Sequence, residues 1–225
     1  MWNNKNKAVT LSYDDGVESD IRLVELLNRY GLKCTFNLNS GLMTPDSNWE
    51  LNGFTVRRMP PDKLPELYKG HEIAVHCVTH ADLTKLSDED VLKEIKADVK
   101  SLEQLFGCKI NGMAYPYGAY DERIIRIVGE CGIRFSRTCC DTHSFAIPEA
   151  PLAFGATCRH KDPALFELVD EFLRYDGEDP AVFCLWGHSY EFDADDNWEL
   201  IEEFCSRISC REDIFYGTNS EVFLG

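Results

Sequence analysis

The chain has 225 residues, 44% of them hydrophobic and 12% aromatic, enough for one substantial α/β core, and a formal charge of −16. So acidic a surface repels phosphates, which argues against nucleic acid or an anionic membrane as partner. No apolar run approaches the roughly 20 residues that span a bilayer, and "MWNNKNKAVT" lacks the apolar stretch of an export signal, so a cytoplasmic protein is expected. The 10 cysteines include no C-x-x-C pair, and many sit in apolar stretches such as "AVFCLW", which predicts buried free thiols.

In chain order, "KAVTLSY" reads as a strand and "DIRLVELLNRYG" as a helix with a glycine stop. "CTFNL" is a strand, "TPDSNWELNG" a polar loop, "PPDKLPELYKG" a helix and "HEIAVH" a strand. "SDEDVLKEIKADVKSLEQLFG" is the clearest helix, with Ser87 and Asp90 placed as the aspartate form of a capping box. Then follow "INGMAYP" (strand), "DERIIRIVGECG" (helix), "IRFSRT" (strand), a Pro- and Ala-containing coil over 141–162, "PALFELVDEFLRY" (helix), "AVFCLWGH" (strand), "NWELIEEFCSRI" (helix) and "IFYGTN" (strand). About seven β/α units predict one domain over residues 1–225, a parallel sheet with helices outside, closed as a barrel or doubly wound. Both architectures bind ligands at the carboxyl ends of the strands, so chemically capable residues should collect there.

They do. Asp14 and Asp15 follow the first strand; they can serve one site only if the chain leaves the pleat, which Gly16 permits. Taken alone, the stretch is equally a turn with a solvated or capping carboxylate. His76 and His80 end the "HEIAVH" strand, and on a helical turn they would share one face and one cation. In "AYPYGAYD", Pro116 stiffens what by itself reads as a structural turn, and its missing donor leaves the N–H of Tyr117 able to point into a site. His188 closes "FCLWGH". His71 lies at the wrong end of its strand, and His143 reads as a surface loop residue. "DADDNWELIEEF" imitates a calcium loop through Asp193, Asp195 and Asn197, but Trp198 stands where the turn needs Gly and Phe204 where a bidentate Glu is needed. Its Asp and Asn are read as caps of the next helix.

These stretches, in this order, resemble the polysaccharide deacetylase family (carbohydrate esterase family 4), the metal-dependent group that includes chitooligosaccharide and peptidoglycan N-acetylglucosamine deacetylases. Its Thr-Phe-Asp-Asp-Gly motif is matched by Ser12-Tyr13-Asp14-Asp15-Gly16, and its His-(Ser/Thr)-x-x-His motif by His76-Cys77-Val78-Thr79-His80. The resemblance runs from residue 8 to about 135 and resumes around 182–190. It implies a distorted (β/α) barrel of about seven parallel strands with outer helices. It further implies Asp15, His76 and His80 as ligands of a divalent metal ion, Zn²⁺ first, with Co²⁺, Ni²⁺ or Mn²⁺ as alternatives. Asp14 would be the catalytic base, His188 the general acid, and the Tyr117 N–H part of an oxyanion hole. Tyr115, Pro116, Trp186, Arg159 and His160 are expected substrate contacts.

Two departures from the family pattern stand out. Ala114 occupies the place of an arginine that contacts the catalytic aspartate, and an Asp paired with a Trp that buttresses the site is not found between 136 and 160. Arg159 and His160 are the candidate substitutes. The expected function is hydrolysis of a non-peptide carbon–nitrogen bond, deacetylating N-acetylated amino sugars, small oligosaccharides or another small acetamido substrate. The alternatives are an O-acetyl esterase and a non-catalytic carbohydrate-binding relative. The sequence leaves the oligomeric state open.

Overall fold

Every residue of the first strand, β1 (Lys7–Asp14), is buried, because parallel strands in an α/β protein are covered on both faces. Its side chains alternate between two environments. Val9, Leu11 and Tyr13 join the large apolar cluster between sheet and helices, whereas Ala8 joins a smaller cluster with Phe135, Val182 and Trp186. Thr10, Ser12 and Asp14, in phase with Ala8, are hydrogen-bonded within that inner layer. Leu11 has no exposed surface; its truncation to Ala is expected to cost about 2–5 kcal/mol in a denaturant titration.

The computed structural model describes residues 2–225. After β1 come α1 (Asp20–Tyr30), β2 (Cys34–Leu38), the antiparallel pair β3 (Trp49–Leu51) and β4 (Phe54–Val56), α2 (Leu64–Leu67) and β5 (Glu72–Val75). The chain continues through α3 (Asp88–Phe106), β6 (Gly112–Ala114), α4 (Glu122–Glu130), β7 (Phe135–Asp141), β8 (Phe154–Ala156), β9 (Cys158–Arg159) and α5 (Leu165–Arg174). It ends with β10 (Ala181–Gly187), α6 (Tyr190–Ala194), α7 (Trp198–Ile208), β11 (Ile214–Tyr216) and α8 (Asn219–Phe223).

The main sheet is parallel, in the order β8-β7-β6-β5-β2-β1-β10-β9, with β11 beside the start of β1. Only Thr157 separates β8 from β9, and its N–H donates to the Cys184 carbonyl of β10 at 2.9 Å. The segment 154–159 therefore joins β7 on one side to β10 on the other, and the sheet closes into a distorted (β/α) barrel. The distortion sits at this seam, where the β7–β8 register is interrupted between Arg137 and Asp141. Trp2 and α8 plug the amino-terminal end: Trp2 Nε1 donates to the Val222 carbonyl, and Thr10 Oγ1 donates to Asn219 Oδ1.

Several local expectations change. The coil expected over 141–162 contains β8 and β9, and the polar loop at 44–53 runs into the β3–β4 hairpin. Ser87 accepts from the Asp90 N–H, but the reciprocal half of the box is replaced by a side-chain bond from Ser87 Oγ to Asp90. Asn197 precedes α7 without a capping side-chain bond, while Asp193 accepts from Ser19 and Trp198. The thiols are all free; Cys34, Cys77, Cys158, Cys184 and Cys205 are buried, but Cys108, Cys139, Cys140 and Cys210 are exposed. No described helix is long and apolar enough to cross a membrane.

Candidate metal centre and catalytic cleft

At the carboxyl end of β1 the pleat breaks: Asp15 has φ 89° and Gly16 φ 66°. Left-handed backbone at a non-glycine residue costs about 1–2 kcal/mol and persists only where neighbours impose it. Here the Asp15 N–H donates to the Asn37 carbonyl at 2.9 Å, and its own carbonyl accepts from Arg58. The twist lets Asp14 and Asp15 address one site from consecutive positions.

At the end of β5 a second irregular turn, with Cys77 at φ 65° and His80 at φ 56°, brings the two histidines together. The expected helical turn is thus replaced by two left-handed residues, held from outside. Asn39 Nδ2 donates to the His76 and Cys77 carbonyls, and Asp98 of α3 accepts from the His76 N–H at 3.2 Å. Cys77 packs into the core. His76 Nδ1 lies 2.7 Å from the Ala114 carbonyl, so that nitrogen carries the proton and Nε2 keeps its lone pair. Ligand atoms of Asp15, His76 and His80 all lie within 4.8 Å of one another. Burial holds both imidazoles below their ordinary basicity, His80 at about 4, so both are neutral at pH 7 as metal ligation requires.

Asp14 is 3% exposed, and burial alone would raise its pKa. The Arg137 guanidinium, together with His76 and His188, more than offsets this and lowers it to about 2. Arg137 Nη2 contacts both carboxylate oxygens, at 2.6 Å on Oδ1, while Asn37 Nδ2 donates to Oδ1 at 2.8 Å. Arg137 Nε donates to Ser12 Oγ at 3.0 Å, and the guanidinium lies 4.6 Å from the Trp186 ring centre. In the β6–β7 register Ala114 pairs directly with Arg137. The guanidinium missing at Ala114 therefore arrives from the adjoining strand, not from Arg159 or His160. An Asp–Trp pair is present as well: Trp186 Nε1 donates to Asp141 Oδ1 at 2.6 Å. The signal in the sequence was an arginine in phase with the buried Phe135 inside "IRFSRT", where an unpaired charge would be prohibitively costly.

His188 Nε2 stands 3.9 Å from Asp14 Oδ2 and 4.0 Å from Asp15 Oδ2. Its Nδ1 is 3.4 Å from Glu191 Oε2. Burial would lower the basicity of His188, but Glu191 and the two aspartates outweigh it and the pKa is raised. Glu191, absent from the expected site, is a buried hub that also meets Arg159, Lys161 Nζ at 3.4 Å and His160 Nε2 at 3.2 Å. It lies one helical turn after His188, a spacing visible in "HSYE".

Tyr117 adopts φ 59°, and its N–H has no acceptor among the described residues. Its ring is 68% exposed and meets His80 edge to face, centres 4.6 Å apart. The expected substrate contacts mostly turn inward. Tyr115 is buried and donates to the Leu152 carbonyl at 2.7 Å, Pro116 and Trp186 are buried, and His160 packs beneath Tyr13 and Phe192. Arg159 alone of the five is partly exposed, and it is paired with Glu191. The open cleft, 350 Å³, is instead walled by Trp49, Arg58, Tyr117 and Tyr190, with Asp15 and His80 at its floor.

This site and barrel can be set beside known proteins. The profile of the polysaccharide deacetylase family matches residues 2–136, and the chain belongs to that family. It is 28% identical over 124 residues to chitin deacetylase 1 of Cryptococcus neoformans var. grubii, and 28% identical over 126 residues to the peptidoglycan-N-acetylglucosamine deacetylase PgdA of Listeria monocytogenes. Each alignment covers 55% of this chain and 24% of the relative, so the chain spans about a quarter of the length of these curated relatives. Among solved structures, a carbohydrate esterase domain of a multidomain xylanase from the hindgut metagenome of Trinervitermes trinervoides superposes with TM-score 0.63 at 17% identity, covering 98% of this chain and 91% of that one. A family pseudoenzyme from Bacillus anthracis gives TM-score 0.60 at 15% identity over 98% of this chain and 66% of that one. At such identity these likenesses are of fold.

Proposed function

We propose that the chain is a single-domain, metal-dependent deacetylase that hydrolyses the acetamido group of N-acetylated amino sugars or a related small acetamido substrate. The observation that carries this is the convergence of Asp15, His76 and His80 beside an Asp14 that Arg137 holds ionised. One carboxylate and two neutral imidazoles suit Zn²⁺ or a neighbouring divalent transition ion, and three protein ligands are the pattern of a catalytic rather than a closed structural site. A divalent ion held there supplies Lewis acidity toward the acyl carbonyl and acidifies water.

The side chains divide the rest of the work. Asp14 accepts the proton of the attacking water; Arg137 and Asn37 fix its oxygens, so that the base is both ionised and aimed. The free N–H of Tyr117 is available to the oxyanion of the tetrahedral intermediate, a contribution worth about 10²–10³ in kcat where such donors have been removed. His188, kept basic by Glu191, donates a proton to the departing amine. Arg137 supports the catalytic reading over a non-catalytic relative, since Asp14 keeps a guanidinium partner despite Ala114.

Acetate release from chitooligosaccharides and N-acetylglucosamine tests the reading, with Asp14→Asn as control. Turnover that Asp14→Asn abolishes is the expected result. Stoichiometric metal without turnover of acetamido or acetyl-ester substrates would transfer the chain to another amidase chemistry or to the non-catalytic relatives.

A further inference from the structure

Arg58 is 8% exposed, and its contacts reach both halves of the candidate metal centre. It follows β4 and is bound to the turn after β1 by main-chain bonds on either side of it, from Glu18 N–H to the Arg57 carbonyl at 2.8 Å and from Met59 N–H to the Gly16 carbonyl at 3.1 Å. Its Nη1 donates to the Asp15 carbonyl, the one displaced by the left-handed backbone, and to Asn39 Oδ1 at 3.2 Å. Its Nη2 lies 3.2 Å from Asp15 Oδ1. Asn39 passes the connection on, because its Nδ2 donates to the carbonyls of His76 and Cys77. The Trp49 ring covers the guanidinium, 4.7 Å from the ring centre.

We propose that Arg58 is a positioning residue that assembles the metal-ligand triad: its planar fork fixes the strained turn at Asp15, occupies Oδ1 and leaves Oδ2 to the ion, and through Asn39 sets the His76 turn relative to Asp15. This rests on the reading of Asp15, His76 and His80 as metal ligands. Arginine suits the task because two nitrogens in one rigid plane reach two acceptors of the same residue, which a lysine point charge cannot do. A buried cation beside a cation site also opposes metal by simple repulsion. The two effects have opposite signs, so removing the guanidinium decides between them. Outer partners of metal ligands typically change metal affinity by about 10–100-fold.

The experiment titrates Co²⁺ into metal-free wild type, Arg58→Gln, Arg58→Lys and His76→Ala, reading both affinity and the visible ligand-field bands, with far-ultraviolet circular dichroism as the check on folding. The wild type is expected to bind one Co²⁺, Arg58→Gln to bind it about 10–100-fold more weakly with shifted bands, and Arg58→Lys to fall between them. If Arg58→Gln or Arg58→Lys binds as tightly as wild type, or more tightly, with unchanged bands while His76→Ala loses the ion, the positioning role is overturned and the ligand assignment stands. If the wild type binds no Co²⁺, the ligand assignment fails and the proposal with it.

Discussion

Replacing Arg137 with Met separates the ionisation of Asp14 from the rest of the site. The carboxyl is lowered from 3.8 to about 2 although burial pushes the other way, which corresponds to about 2–3 kcal/mol in favour of the carboxylate. The guanidinium is the first of the influences that lower it, ahead of His76 and His188. Without it the pKa rises, and the proton-accepting form is lost at a higher pH than in the wild type. The acid limb of the kcat/KM profile should move upward accordingly. A positioned base contributes about 10²–10⁴-fold, and Arg137→Met is expected to lower kcat/KM at pH 7 by about 10²-fold or more. Stability should fall as well, by about 3–5 kcal/mol, as for a buried ion pair broken on one side. Because Ala114 is the register partner of Arg137, the double variant Ala114→Arg/Arg137→Ala should recover about tenfold or more over Arg137→Ala alone. A folded Arg137→Met enzyme with wild-type kcat/KM and an unmoved acid limb would refute the reasoning.

Glu191→Gln removes the anion that keeps His188 basic. Protonated His188 is present below its pKa, so lowering that pKa should shift the alkaline limb of the rate profile to lower pH; an unchanged limb would remove Glu191 from the account. Asp98 is a second titration test. Burial raises its carboxyl from 3.8 to about 7, so the folded chain holds this proton more tightly than the unfolded one, and the contribution of Asp98 to stability grows as pH falls from about 7 towards 3.8. Urea titrations across that range should show wild type gaining on Asp98→Asn as the solution is acidified; a constant difference would contradict it.

The strand–helix alternation was legible because the longer elements, such as β1, β10, α1 and α3, carry regular patterns. What stayed hidden is short or depends on pairing. β8 and β9 are three and two residues long, and residues 141–162 join the sheet only because β7 and β10 stand ready on either side. The candidate residues that converge at the cleft could be read from their positions at strand ends, since barrel geometry gathers those ends. Their partners could not. Arg137 meets Asp14 through strand register, and Arg58 meets Asp15 through a hairpin that sequence periodicity read as loop. The residues expected to touch substrate lie mostly inward for a related reason: Tyr115 and Trp186 sit at strand ends but on inward phases, and one residue of register decides whether a side chain lines the cleft or supports it.

The most direct test of the central claim is an anomalous difference map from crystals grown with Zn²⁺. One strong peak is expected at about 2.0–2.2 Å from an oxygen of Asp15, Nε2 of His76 and a ring nitrogen of His80, with Asp14 left unligated and still paired to Arg137. A peak held by other side chains, or ordered density for the three residues with no ion between them at saturating Zn²⁺, would contradict it.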